Sequence, residues 1–263
     1  MERRTLKNAP LVEAIFELRW ELYEELSTGE RIDPYYKVLI GGIFNKLREE
    51  YGYPEPLGTA DVPERFCQYV VQHRFRESKD GWPLIQIGPG VITLNETAGY
   101  TWKDFREKAC RLVDALFETH SKPEELTIDQ LVLRYINGIE FDYEETDVFG
   151  FLDEQMKTRL GMYRGLFEGT GVDRTPRGLE FRAAFASALP KGLVDFRVAR
   201  GTRTKDGAKV DALIWETIIQ SSKGDLPKIQ QRKFIPSWLE DAHNLAEDWF
   251  FKIIKGDLER RFE

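Results

Sequence analysis

In residues 11–22, LVEAIFELRWEL, Val12, Ala14, Phe16, Leu18, Trp20 and Leu22 share one side, and Glu13, Ile15, Glu17, Arg19 and Glu21 the other. A period of two over this length predicts a strand with one face on a core. The polar second face predicts an antiparallel or mixed sheet that helices cover on one side only. A helix follows. Asp33 can cap it, Pro34 fits its first turn, and Tyr36, Val38, Leu39, Ile43, Phe44 and Leu47 form an apolar stripe ending near Tyr51–Gly52. Residues 53–65, with three prolines and a glycine, read as a loop.

Alternation returns over 66–77, where Cys67, Tyr69, Val71, His73 and Phe75 predict a second strand. Leu84–Gly88 and Val91–Asn95 follow, joined by the tight-turn tripeptide Gly88-Pro89-Gly90. Thr101 and Asp104 have capping-box spacing and open a helix carrying Phe105, Ala109, Leu112, Val113, Leu116 and Phe117. The order then repeats. Residues 129–143 read as a strand, with Leu131, Leu133, Tyr135, Ile139, Phe141 and Tyr143 on one face and Arg134, Gly138, Glu140 and Asp142 on the other. A short helix near 148–160, a loop at 161–178, strands near 179–188, 192–203 and 208–220, and a final helix complete the pattern. Pro236 with the Ser237/Glu240 box predicts the start of that helix, which carries Trp238, Ala242, Leu245, Trp249, Ile253 and Leu258.

Each half thus reads strand, helix, three strands, helix. The expected fold is α+β, built from duplicated β-α-β-β-β-α halves, residues 1–121 and 122–263. Together they form one compact unit with a mainly antiparallel sheet and helices packed on one face. Residue identity between the halves is low, so element order and helix lengths carry this reading.

Composition narrows the function classes. The chain has 263 residues, 41% of them hydrophobic and 32% charged, with a formal net charge of −7. No apolar run approaches the roughly 20 residues that span a bilayer. The first 20 residues lack an apolar segment before a small-residue cleavage site, so no secretory signal is expected. Two cysteines, Cys67 and Cys110, make no disulfide framework. A cytoplasmic location is expected on these grounds. Net negative charge argues against generic coating of nucleic acid, whose backbone is held by surplus Lys and Arg.

Three segments stand out together: NAPLVEAIFELRW at 8–20, GPGVITLN at 88–95 and LRYINGIEF at 133–141. With the length and the Ala242-His243 pair in the last helix, they resemble an uncharacterised, sporadically distributed prokaryotic family of about this size. Its members share an Asn-Ala-Pro-Leu/Ile-x-Glu-Ala segment and a central Arg-Tyr-Ile-Asn-like segment. Here these are Asn8, Ala9, Pro10, Leu11, Glu13 and Ala14, then Arg134, Tyr135, Ile136 and Asn137. The resemblance spans nearly the whole chain and transfers no catalytic residue. Patchy distribution is compatible with mobile or phage-defence gene sets.

Catalytic signatures are missing. His73, His120 and His243 lie far apart in sequence without ligand spacing to another His or Cys, so no metal and no cofactor are expected. His73 reads as a core residue with a satisfied hydrogen bond, and His243 as a surface or interface residue. No G-x-S-x-G elbow occurs, and both cysteines sit in apolar stretches. The Gly169-Thr170-Gly171 segment lacks the Lys-Ser/Thr of a phosphate loop. The acidic run Asp142, Glu144, Glu145 and Asp147 suits a helix N-terminus without a metal.

The polar sheet face is the leading candidate site, through Glu13, Glu17, Arg19, Arg134 and Glu140. Arg182, Asp195 and Arg197 belong to the later strands. The face is either an ordinary solvated surface or a groove for a ligand, peptide or partner sheet. The 161–178 loop adds Arg174 and Arg177, which could meet an anion as a mobile flap. The expected function is a non-enzymatic binding or assembly component, with a protein partner or self-association into an oligomer. The alternatives are nucleic-acid association through Arg197, Arg200, Arg203 and Lys205, with Lys223, Lys228, Arg232 and Lys233 as a second basic cluster, or an enzyme whose site converges only in the fold.

Overall fold

The computed structural model describes residues 6–97, 99–205, 207–227 and 231–263. Lys228 and the side chain of Lys205 fall outside the described set. The elements run β1 (Leu11–Trp20), β2 (Tyr23–Glu24), β3 (Arg31–Ile32), α1 (Tyr36–Leu47), β4 (Tyr53–Pro56), β5 (His73–Arg76), β6 (Leu84–Gly88), β7 (Val91–Glu96) and α2 (Trp102–Thr119). They continue with β8 (Ile128–Glu140), α3 (Val148–Met156), β9 (Glu180–Ala188), β10 (Lys191–Lys205), β11 (Ala208–Gln220), α4 (Gln231–Ile254) and α5 (Asp257–Arg260). The fold is α+β.

Nine strands form one sheet in the order β4-β5-β6-β7-β1-β8-β11-β10-β9, and every described pairing is antiparallel. β1 and β8 meet at the centre. β7, β6 and β5 run outward from β1 as β11, β10 and β9 run outward from β8. The duplication is therefore also a pseudo-twofold. Its axis is fixed by two bulges. In β1 the register shifts between Leu11, opposite Asn137, and Glu13, opposite Ile136, leaving Val12 as the extra residue. In β8 the same shift lies between Ile128, opposite Trp20, and Gln130, opposite Arg19, leaving Asp129 extra. Each bulge bends the start of its strand against the end of the other. This relation makes Leu18 and Trp20 the counterparts of Tyr135 and Asn137. Leu18 pairs Ile92 as Tyr135 pairs Thr217, so those two also correspond.

Helices pack on one face. Ala14, Phe16, Leu18 and Trp20 join Leu94, Leu131 and Leu133 from the flanking strands and Phe105, Leu112 and Leu239 from α2 and α4 in the main core. A second cluster gathers Leu152, Val198, Trp215 and Leu258 under α3 and α5. α4 contributes to both, which ties the halves together.

Four expectations are corrected in detail. The bulge turns Val12 outward, 51% exposed, and Leu11 inward instead. The strand expected over 66–77 is confined to β5, because Glu64–Phe66 is a single 3-10 turn and Tyr69 has φ +59°. Gly88 lies against that irregular stretch so closely that a Cβ would sit 1.9 Å from the Val70 carbonyl oxygen. Within the expected 53–65 loop, Tyr53–Pro56 forms the sheet edge β4, a position where Pro54 and Pro56 cost no ladder bond. α4 reaches back at least to Gln231, so Pro236 lies inside it and Ser237 Oγ donates to the Phe234 carbonyl at 2.8 Å. Asp33 also does more than face a helix start. Its carboxylate accepts from Tyr35 N–H at 3.1 Å, Trp20 Nε1 at 3.0 Å and Gly90 N–H at 3.2 Å.

Candidate functional site

The open sheet face carries the residues singled out from the alternation, and they are occupied with one another. Arg134 Nε donates to Glu216 Oε2 at 2.8 Å, and Arg197 reaches Glu216 Oε1 and Glu180 Oε1, each at 3.0 Å. Arg182 holds the buried Asp195. Glu17 takes Arg19 at 2.7 Å, and Glu13 accepts from Asn95 Nδ2 at 2.8 Å. Glu13 and Arg134 are thus on one face but in separate pairs. Glu140 lies farther along the same face, 3.8 Å from Arg203. This is a closed charge ladder, with Glu216 only 4% exposed.

The 161–178 loop lies elsewhere. Arg177 contacts Glu144 at 3.2 Å and Asp173 at 3.6 Å, and the Pro176 carbonyl accepts from Arg200 at 2.9 Å. Arg174 is exposed on the same loop. The basic residues of β10 divide between faces. Arg197 and Arg203 share the open side, whereas Arg200 turns to the helix side, over the Tyr143 ring at 4.2 Å and onto Asp211 at 2.7 Å.

A different place combines polar and aromatic side chains around a cavity. Between the sheet, α2 and α4 lies a cavity of about 370 Å³. Its floor is Tyr135, Asn137 and Thr217, inward-facing residues of β8 and β11. Its roof is α4, through His243, Ala246 and Phe250. Tyr100 and Trp102 at the start of α2 form one wall, and Ala9, Pro10 and Leu11 form another. Three local devices shape it. The Val12 bulge swings Leu11 inward. Thr101 accepts from Asp104 N–H, fixing where α2 begins. Trp102 Nε1 and Arg106 Nε meet Glu240 Oε2 at 3.2 and 3.1 Å, clamping α2 to α4.

Polar groups run along the lining. Tyr135 Oη lies 2.9 Å from both Tyr100 Oη and His243 Nδ1. The His243 ring stacks on Trp102, centroids 3.9 Å apart and 11° between planes. His243 is therefore buried, not at the surface as its helix position suggested. Asn137 and Thr217 are 3% and 2% exposed, and among the described residues their side chains make no hydrogen bond. The pseudo-twofold shows how unusual this is. The counterparts Leu18, Trp20 and Ile92 are apolar and fully packed. The second half places Tyr, Asn and Thr where the first half has core.

The other titratable groups stay within the scaffold. His73 Nδ1 meets Tyr36 Oη at 2.9 Å, and burial lowers its pKa. Burial pushes the Cys110 thiol up, away from the thiolate form. Among the described residues no three His, Cys, Asp or Glu side chains are grouped to hold a metal ion. No helix there is long and apolar enough to cross a membrane.

Alternation in sequence pointed to the charged face and passed over the cavity. The signal for it was present: Asn137 and Thr217 interrupt the apolar sides of LRYINGIEF and ALIWETIIQ. Tyr100, Trp102 and Phe250 carried no such signal, because aromatic residues beside a helix read as core.

No family model matches the chain, and no curated protein does. Among solved structures, one similar chain is described as the crystal structure of the di-domain ARO/CYC StfQ from the steffimycin biosynthetic pathway. It is 11% identical, with 95% of this chain and 99% of that chain covered, and its TM-score is 0.22. A likeness at that level carries no argument about fold or function.

Proposed function

We propose that the protein is a binding protein whose site is the cavity between the sheet, α2 and α4, and that its ligand is a small, largely apolar molecule. The observation that carries this is the pair of buried side chains, Asn137 and Thr217, lining the cavity without hydrogen-bond partners among the described residues. Both polar side chains line the cavity, where a guest's donor and acceptor fit them. The volume falls in the range of small-molecule sites, and the mixture of aromatic walls with few polar groups is typical of them. The charged sheet face supports binding less well, since its charges are already paired and a ligand there would have to break ion pairs. Self-association or a protein partner, as expected for an assembly component, would act alongside this site and not through it.

The test is fluorescence titration with N-phenyl-1-naphthylamine, a neutral probe that brightens in apolar surroundings. Saturable binding at one site per chain is expected. Ala246→Trp, which fills the roof, should abolish it, and the double variant Glu13→Ala/Arg134→Ala should leave it unchanged. No saturable binding, or binding indifferent to Ala246→Trp, would contradict the proposal. Loss in the sheet-face variant alone would return the site to that face.

A further inference from the structure

We propose that the cavity takes a neutral, planar aromatic molecule with a lactam edge, that is, a ring N–H beside a ring carbonyl. This rests on the reading of the cavity as a binding site and names the chemistry of what enters it. The floor sets the hydrogen-bonding demand. The Asn137 carboxamide presents a donor and an acceptor side by side, and the Thr217 hydroxyl presents both on one atom. An adjacent N–H and C=O on the ligand meets the carboxamide at both ends, whereas a ketone or an ether meets only its donor.

Position makes the two floor residues act on one edge. Thr217 is paired with Tyr135, and Asn137 with Trp215, so Thr217 and Asn137 are diagonal neighbours on adjacent strands with side chains to the same side. Diagonal positions of this kind lie about 7–8 Å apart. One fused ring system spans that distance, with its polar edge toward the sheet.

The walls set the shape. Trp102 and His243 are already stacked nearly parallel, and Tyr100 meets Tyr135 edge-on. The lining therefore carries aromatic rings, against which a planar aromatic guest packs well. The floor sets the charge. Asn, Thr and Tyr supply dipoles and no formal charge, so an ionised group placed there would lose its hydration without an opposite charge. The lining's charged residues stand on the helices and not on this floor: Lys103 on α2 is exposed, and Glu247 on α4 is half-buried beside His243, 4.0 Å from its Nε2. The duplication sharpens the point. Leu18, Trp20 and Ile92 at the counterpart positions show that the sheet packs well with no polar side chain there.

The experiment is isothermal titration calorimetry of the full chain with 2-quinolone, a bicyclic lactam, and with naphthalene, its apolar counterpart of similar size. An apolar pocket alone would favour naphthalene. The proposal expects 2-quinolone to bind about tenfold tighter, the effect of leaving buried polar groups unpaired. Asn137→Leu should remove that preference by weakening 2-quinolone while sparing naphthalene. If Asn137→Leu does not fold, Thr217→Val, which replaces the hydroxyl with a methyl, gives the same readout. Equal binding of both molecules, or a preference for naphthalene, would overturn the lactam edge and leave the cavity reading standing. Binding of N-phenyl-1-naphthylamine but of neither molecule would also overturn it. Failure of all three would take the cavity reading with it.

Discussion

Asn137 occupies the position that Trp20 fills in the other half of the sheet. The comparison sets a side chain that packs in the core against one that the proposed site would use. Trp20 is packed and its Nε1 is satisfied by Asp33. Asn137 is as deeply buried and is left to the cavity. Replacing it with Leu removes a buried polar side chain that has no hydrogen-bond partner among the described residues, which should stabilise the ligand-free protein by about 1 kcal/mol, or about 2–4 °C in Tm. Thermal unfolding followed by circular dichroism checks this, and a lower Tm would mean that Asn137 has a structural partner. A stabilising change at a site that also loses ligand preference would be the usual trade between stability and function. Asp33→Ala should do the opposite. It strands the Trp20 indole and the Gly90 amide, at a cost of about 2–4 kcal/mol measurable by urea denaturation. A loss below 1 kcal/mol would show that water or another group replaces the carboxylate.

His73 carries a pH dependence at the same scale. Its pKa in the folded protein lies below the ordinary 6.5 because burial disfavours the imidazolium. The folded state therefore holds fewer protons on this ring than the unfolded state does. The resulting stability is present above pH 6.5 and is lost as pH falls through the lowered folded value. His73→Asn should flatten that part of the stability-against-pH curve. An unchanged slope would assign the acid sensitivity to other groups.

At the scale of elements, strands with clean alternation were legible and those shaped by backbone geometry were not. β1 and β8 appear where alternation put them, and β6 and β7 lie on either side of the turn that Gly88-Pro89-Gly90 signalled. The α2 start at Thr101 was also legible, because a capping side chain is a local cause. The bulge at Val12 was not, since it depends on what β8 presents opposite. Nor was the end of the pattern at 66–72, where Gly88 must approach the Val70 carbonyl. Gly88→Ala tests that contact. The added methyl has no room against backbone, so the β6–β7 hairpin must shift. The expected loss is about 3 kcal/mol, comparable with strongly strained or overpacked substitutions. Unchanged stability would show that the 67–71 segment moves aside freely. The cavity itself was half legible. Asn137 and Thr217 break an apolar side visibly, but the walls come from α2 and the 9–11 segment, which are far from β8 and β11 in sequence.

At the scale of the molecule, the duplication was legible as an order of elements, and its symmetry as a pair of bulges only in three dimensions. The halves share one sheet through the β1–β8 seam and one core through α4. They should unfold together, giving a single calorimetric transition whose van't Hoff and calorimetric enthalpies agree. Two resolved transitions would make each half a folding unit of its own. The near-symmetric frame also shows where the two halves differ. One half keeps Leu, Trp and Ile at its centre and is filled, and the other exchanges them for Tyr, Asn and Thr and encloses space.

The most direct test of that account uses the tryptophans. The chain has six, giving six indole N–H signals in a nitrogen–proton correlation spectrum, and Trp102 is the one that lines the cavity. With that signal assigned through Trp102→Phe, N-phenyl-1-naphthylamine is added stepwise. The account predicts a saturable shift of the Trp102 indole, with those of Trp20 and Trp82 unmoved. A Trp102 signal that stays in place while the probe binds would contradict it.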